Sequence, residues 1–310
     1  MNKDSRVCII GNKGMLGHAI WSKLYAEGYT NLIGCDLPGV DLCDQKQTKD
    51  FFEEKKPEYV FFLAAVAAGI QYKKTHPVDM LLKNLQMITN VMECAYLNEC
   101  RKMINVCSAL LYPSEARIPL REEYLLHVNL NEVDTPYALA KAAGMQLARY
   151  YNFQHGTKYL TVIPCNFFGE FAPFDGDRAG VVSALISRIY NAKLNNLNRV
   201  EVWGSGNACR ELLNSKDVAS ACVFLMNCDT EYDLINIGRG SEFSIREVAE
   251  MIKSVVGYEG ELFFDATKPE GRQHMQLNTE RLFNLGWRPS MDLENSIRDA
   301  FEWYKNGHHN

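Results

Sequence analysis

Tyr137 and Lys141, one helical turn apart, carry the sharpest chemical signal in the sequence. A Y-x-x-x-K pair puts both side chains on one helix face. An adjacent ammonium favours a tyrosine's phenolate and draws its pKa down from about 10. Such a tyrosine exchanges a proton with a sugar oxygen while hydride moves to or from a nicotinamide. Lys141 is also placed to hold the nicotinamide ribose. Ser108 follows the apolar run 102–107, at the carboxyl end of an expected strand, where open α/β sheets bind ligands. Its hydroxyl is expected to meet the same substrate oxygen. Alone, most Y-x-x-x-K pairs are solvated helix faces. Here a glycine loop, the serine, the tyrosine and the lysine follow one another in the order the chemistry needs.

That loop is Gly11-Asn-Lys-Gly14-Met-Leu-Gly17, between a β-rich run and a helical pattern. A dinucleotide pyrophosphate needs close backbone approach and free helix N-terminal N–H groups, and side chains would block it. The spacing is G-x-x-G-x-x-G, which alone is also compatible with turn chemistry. Gly11, Lys13, Gly14, Met15, Leu16 and Gly17 are the expected contacts. Asp36 ends the second apolar run, 25 positions after Gly11. A carboxylate there accepts ribose hydroxyls and repels a 2′-phosphate, which favours NAD(H) over NADP(H). Lys13 can still reach a 2′-phosphate, and Asp36 also opens an Asp-Leu-Pro-Gly turn, so NAD(H) and NADP(H) both stand. Asp41 and Leu42 contact the adenine or form a surface turn. Leu63, Ala64 and Ala65 after the third run, with Pro164 and Asn166 after the fifth, complete the expected cofactor wall.

Positioning these residues takes alternating strands and helices. Apolar runs at 6–10, 31–35, 59–65, 102–107 and 159–164 alternate with helical patterns to 24, over 77–98 and over 136–155. That rhythm predicts an α/β fold, a doubly wound parallel sheet of the Rossmann kind. Past residue 166 it loosens. Residues 168–180 read as an irregular loop, 180–192 and 216–226 as helices, and Ser244-Ile-Arg-Glu247 as a capping box. Glu261 opens a short β run. The expected organisation is a dinucleotide-binding domain over 1–166 and a smaller mixed α/β substrate part over 167–310, some of it returning to the first domain.

Composition removes other classes. The 310 residues are 47% apolar and 23% charged, which excludes wholesale disorder. The net charge of −5, with no basic run, argues against a nucleic-acid partner. There is no signal-peptide pattern and no long apolar span, so a cytoplasmic protein without a membrane segment is expected. Ten cysteines sit mostly in apolar runs, with no C-x-x-C and no zinc spacing to histidine. They read as buried reduced thiols, with no structural metal.

These residues resemble the extended short-chain dehydrogenase/reductase superfamily along the whole chain, and within it the GDP-L-fucose synthase family. The resemblance rests on Gly11–Gly17, Leu63-Ala-Ala65 with Gly69-Ile70, Ser108 with Tyr112-Pro113, Pro136-Tyr-Ala-Leu-Ala-Lys141 and Asn166-Phe-Phe-Gly169. Val202-Trp-Gly-Ser-Gly206, Arg210-Glu211, Asn236-Ile-Gly238 and Asp265-Ala-Thr-Lys-Pro269 extend it. It implies an NAD(P)-dependent oxidoreductase, a nucleotide-sugar substrate of GDP type, and a homodimer joined through a four-helix bundle. It also implies nucleotide contacts from Arg188, Trp203 and Arg210, with a core role the alternative for Trp203. Leu110, Asn166 and Val181 would face the sugar. Phe167, Phe168, Phe171 and Phe174 shape the pocket or anchor its loop.

The departures sharpen this reading. Fucose synthases carry a Cys two residues after the serine and a His before the helix that follows the irregular loop; Leu110 and Gly180 stand there. That Cys/His pair epimerises the carbons beside the ketone, and Leu and Gly exchange no protons. Cys107 precedes Ser108 and should point elsewhere. Met275 stands in place of a nucleotide-contacting Lys, with Arg272 the substitute, and Asp36 stands where the family places basic residues. The expected reaction is reduction of a 4-keto nucleotide-linked deoxyhexose or heptose without 3,5-epimerisation. The alternative is a 4-dehydrogenase or 4-epimerase with tightly held NAD, which Asp36 favours. Ala109-Leu110 in place of an Asp-Glu pair disfavours a 4,6-dehydratase. Cofactor-sensing regulators of this fold usually lose the Tyr or Lys, and both are present. The cleft is expected around 66–71, 110–114 and 168–180.

Overall fold

A computed structural model describes all residues except 68–71, 73–74, 126–134, 269 and 308–310. The matches at Gly69, Ile70 and Pro269, and most of the expected cleft segment 66–71, therefore lie outside the described residues.

In chain order the strands are β1 (Val7–Ile10), β2 (Leu32–Cys35), β3 (Tyr59–Phe62), β4 (Lys102–Val106), β5 (Tyr159–Pro164), β6 (Asn166–Phe168), β7 (Arg199–Trp203), β8 (Cys209–Arg210), β9 (Leu212–Asn214), β10 (Leu234–Ile237), β11 (Phe243–Ser244) and β12 (Glu261–Asp265). The helices are α1 (Met15–Ala26), α2 (Gln45–Lys55), α3 (Pro77–Leu97), α4 (Thr135–His155), α5 (Val181–Leu194), α6 (Ser215–Asn227), α7 (Ile245–Val256), α8 (Glu280–Asn284) and α9 (Leu293–Lys305).

Six strands form one parallel sheet in the order β10-β5-β4-β3-β1-β2. β1, β5 and β10 are buried along their whole length, and apart from Thr161 and Asn236 their residues are apolar with little alternation. α1 and α6 pack together, as do α3 and α4. One apolar core lies beneath α1 and α6, and another beneath α2, α3 and α4. The order turns at β1, flanked by β2 and β3, and such a switch point opens a crevice at the strands' carboxyl ends.

A third core joins α5, α7 and α9 with β7 and the β6–β9 region. The capping box is present: the Ser244 hydroxyl accepts the Glu247 N–H at 3.1 Å, and Glu247 takes the Ser244 N–H at 2.7 Å. The chain then returns to the first core, where β10, Met275, Leu277, Leu282 and Trp287 are buried. Cleft walls therefore come from both halves of the sequence. No described helix is long and apolar enough to cross a membrane.

The sequence reading has no counterpart for α2, β7, β10 or α9, and among the elements it does contain, one differs in extent. The apolar run 59–65 is strand only to Phe62. Leu63 and Ala64 both turn their N–H groups onto the Ile10 carbonyl, at 3.0 and 3.1 Å, so the chain leaves the ladder and bends over the end of β1. Unbroken apolarity records burial and carries no mark of where strand pairing stops.

Candidate active site

The cradle is built from backbone. Gly11 has φ +91°, a left-handed conformation that glycine adopts without strain. A Cβ there would stand 3.0 Å from the Ala64 nitrogen. At Gly17 a Cβ would overlap the Gly11 carbonyl oxygen and lie 2.6 Å from the Asn12 Cα. At Gly14 the nearest atom is an ordinary 3.5 Å away. Gly14 caps α1 without a side-chain hydrogen bond, so the helix presents bare N–H groups and the positive end of its dipole. The fit to a dinucleotide pyrophosphate rests on this open space and these free donors.

Asp36 ties the loop to β2: its carboxylate accepts the Lys13 N–H at 3.1 Å and the Leu37 N–H at 2.8 Å. The Lys13 ammonium turns to the Leu37 carbonyl at 2.9 Å. The Asp41 carboxylate takes the Cys43 N–H at 2.9 Å, and Leu42 is buried in the core. Met15 faces the C-terminal core. Sequence reasoning missed Asn84. Buried on α3, it accepts the Val66 N–H at 3.0 Å and donates to the Val66 carbonyl at 3.1 Å, which clamps the segment after β3. Its one signal was an amide on a helix face otherwise bearing Met80, Met87, Ile88 and Val91.

A cavity of about 400 Å³ opens beyond the loop, at the carboxyl ends of the strands. Leu16, Leu63, Ala65, Leu110, Pro164, Asn166, Gly180 and Val181 line it. Ser108, Tyr137 and Lys141 meet there. Ser108 caps the turn Ala109–Leu111, its oxygen accepting the Leu110 N–H at 3.2 Å. That bond uses a lone pair and leaves the hydroxyl proton to donate. Lys141 is buried, its ammonium donating to the Val106 carbonyl at 3.0 Å and lying 6.0 Å from the centre of the Tyr137 ring. Burial pulls its pKa below the ordinary lysine range.

Two thiols also reach this wall. Cys107 donates to the Lys141 carbonyl at 3.7 Å, and burial pushes its pKa up to about 11. Cys165 donates to the Asn166 carbonyl at 3.4 Å and is raised well above the thiol range by burial, then by Glu211. Neither is a thiolate near neutral pH. Among the described residues lining the cavity there is no histidine and no carboxylate.

The remaining sequence-derived residues sit elsewhere. Arg188 and Trp203 share a second open groove of about 500 Å³, the guanidinium 5.4 Å above the indole and Lys268 at 6.0 Å from it. Trp203 is 54% exposed, so its core alternative is excluded. Arg210 spends one nitrogen on the carbonyls of Cys209 and Arg272, both at 2.6 Å, and Arg272 donates to the Tyr112 carbonyl at 2.7 Å. Phe167 and Phe168 line the cavity. Phe171 stacks on His18 and Phe174 on Tyr304, so these two anchor the loop.

Residues 272–277 form a strap along one wall, bringing Met275 to the cavity. Glu211 holds it. Its carboxylate accepts the N–H groups of Arg239, Gly240 and Leu277 at 2.6–2.7 Å. Burial pushes the Glu211 carboxyl up to about 7 against the pull of those three donors. Gly238 is glycine because a Cβ would overlap that carboxylate.

Residues 7–238 match the model of the NAD dependent epimerase/dehydratase family. GDP-L-fucose synthase 1 of Arabidopsis thaliana is 37% identical over 98% of this chain and 94% of its own. The GDP-mannoheptose C4 reductase of Campylobacter jejuni, solved with NADP bound, superposes with a TM-score of 0.89 at 32% identity, covering 98% of this chain and 99% of that one. A GDP-6-OMe-4-keto-L-xylo-heptose reductase of C. jejuni gives 0.91 at 31%, over 99% of both chains.

Two outcomes follow from this geometry. Gly17→Ala drives a methyl into the Gly11 carbonyl and the Asn12 backbone, which should cost about 1–3 kcal/mol of folding stability by denaturant unfolding and, by displacing the loop, weaken dinucleotide binding by titration. Gly14→Ala, whose methyl meets no protein atom closer than 3.5 Å, should leave folding stability nearly unchanged while standing in the pyrophosphate's approach and weakening dinucleotide binding. For Glu211, the folded carboxyl titrates near 7 against an ordinary 4.5, so the native state holds that proton more tightly. Stability from this group is therefore complete below about pH 4.5 and lost as pH rises to about 7, by roughly 3 kcal/mol. The stability of wild type relative to Glu211→Gln, measured by denaturant unfolding, should decline across that window.

Proposed function

The chain belongs to the NAD dependent epimerase/dehydratase family and is an NAD(P)-dependent oxidoreductase of the extended short-chain type; we propose that it reduces the 4-keto group of a GDP-linked deoxyhexose or heptose without epimerising the neighbouring carbons. The names of its relatives support the substrate class: GDP-L-fucose synthases and two reductases of GDP-linked heptoses. The observation that carries the finer reading is the composition of the cavity. It holds the Ser, Tyr and Lys that carbonyl reduction needs, while Leu110 and Gly180 occupy the epimerase positions and the cavity thiols are held protonated.

The bound dinucleotide would rest its pyrophosphate on Gly11–Gly17 and its nicotinamide ribose on Lys141. In reduced form it supplies the hydride to C4. Ser108 donates its hydroxyl proton in a hydrogen bond to the carbonyl oxygen and fixes the face presented. Tyr137 gives its phenolic proton to that oxygen as charge develops there. The Lys141 ammonium steadies the resulting phenolate until solvent returns a proton. An unmatched base beside C3 or C5 would be needed for epimerisation, and no described wall residue supplies one.

Arg188 and Trp203 in the second groove fit a nucleotide diphosphate and base. A guanidinium fork suits phosphate oxygens, and an exposed indole offers a face for stacking. A second copy of the chain would cover α3 and α4, where Leu82, Tyr150 and Phe153 stand exposed, Phe153 at 92%.

Supplied with a GDP-4-keto-6-deoxyhexose, the protein should consume reduced cofactor, and Tyr137→Phe should slow this by about 100-fold or more. In deuterium oxide the product should carry no enzyme-dependent deuterium at C3 or C5; its appearance there would refute the non-epimerising reading. Light scattering should give a dimer for the wild type and a monomer for Leu82→Glu/Tyr150→Glu. A wild-type monomer would remove the bundle.

A further inference from the structure

Cys209, Glu242 and His274 come from three separate segments. Cys209 opens β8, Glu242 precedes β11, and His274 lies on the strap that runs to the cavity wall. Their ligand atoms, a thiol sulfur, a carboxylate oxygen and an imidazole nitrogen, all lie within 4.8 Å of one another. We propose that this triad is a divalent-metal site of zinc type, with its fourth position open to solvent, that fastens the strap to the paired strands β8 and β11.

The donor set argues for the ion. Thiolate, imidazole and carboxylate together suit zinc, which takes four ligands at about 2.0–2.3 Å and tolerates mixed S, N and O donors. Oxygen-seeking magnesium and calcium make no use of the sulfur. Each group is also held from behind. β8 and β11 pair antiparallel, with Cys209 opposite Ser244, which fixes the spacing of two ligands. The Cys209 N–H donates to the Gln273 carbonyl at 2.7 Å, which draws the strap alongside. One Glu242 oxygen accepts the Met275 N–H, which aims the other at the His274 Nδ1 at 3.0 Å. The bonds from the Cys209 N–H and to the far Glu242 oxygen are outer-sphere contacts of the kind that orient metal ligands, whereas the Glu242–His274 contact would give way to the ion between them.

Without an ion the Cys209 thiol donates to the Asn207 carbonyl at 3.4 Å; on binding, a dication would take the sulfur and the thiol proton would leave to solvent. The His274 side chain is 58% exposed, so an ion has a path in and a water can complete the tetrahedron. Closing the triad by about an ångström would draw the strap inward, along with Met275 at the cavity and Arg272 on the Tyr112 carbonyl. The site is independent of the reaction proposed above, since none of the three residues lines the cavity.

The test is metal binding by the full-length protein. After incubation with zinc chloride and desalting, wild type should retain one zinc per chain by elemental analysis. Cys209→Ser and His274→Ala should each lose it, and His274, being exposed, should be replaceable without harm to folding. Cobalt(II) in place of zinc should give the visible absorption of a tetrahedral ion and a near-ultraviolet thiolate band that vanishes in Cys209→Ser. No retained metal would overturn the proposal. So would retention unchanged in both variants, which would place the ion on other thiols, or a cobalt spectrum without the thiolate band.

Discussion

The buried ammonium of Lys141 is the constraint on which the rest of the site depends. Moving a charged amine out of water is costly unless hydrogen bonds replace the lost hydration. Val106 supplies one such bond from the end of β4, locking α4 against the sheet edge. An ammonium has three donors, and in the proposed reaction the cofactor's ribose hydroxyls take part of the remainder. The same contact sets Tyr137 one turn away over the cavity and places Ser108 two residues beyond Val106. The proposed catalytic group is thus assembled by the junction of one strand and one helix.

The cofactor side follows a different logic: it is defined by what is missing. Gly11 and Gly17 have no room for a Cβ, and α1 has no side chain over its N-terminus. Asn84 and Asp36 then fix the two segments flanking the loop through hydrogen bonds to backbone. Opposite, the wall is hung from Glu211, whose three N–H partners join β10 to the strap. A largely apolar cavity lies between, with a few polar groups converging at one end. In the proposed reaction such a wall would orient a carbonyl without offering its neighbouring carbons a base.

What was legible in the sequence was local. The glycine loop, the Tyr137–Lys141 spacing, the serine after the fourth run and the Ser244–Glu247 box all occupy the elements expected of them, because each is specified by residues a few positions apart. The parallel sheet was legible through its largely apolar strands. What escaped was tertiary. The run 59–65 did not disclose that pairing stops at Phe62. Asn84 gave no hint that it clamps Val66, since an amide on a helix face names no partner. Arg188 and Trp203 face a separate groove, and the forks of Arg210 and Arg272 rest on backbone carbonyls. The convergence of Cys209, Glu242 and His274 spans 65 positions and matches no ligand spacing in the chain.

Direct hydride delivery from the nicotinamide to C4 is the central claim. Reduced cofactor carrying deuterium at the transferable position of the nicotinamide tests it most directly. With a GDP-4-keto sugar in ordinary water, the account predicts one deuterium per product molecule, located at C4 by NMR. Product without deuterium at C4, or label found at another carbon, would contradict it.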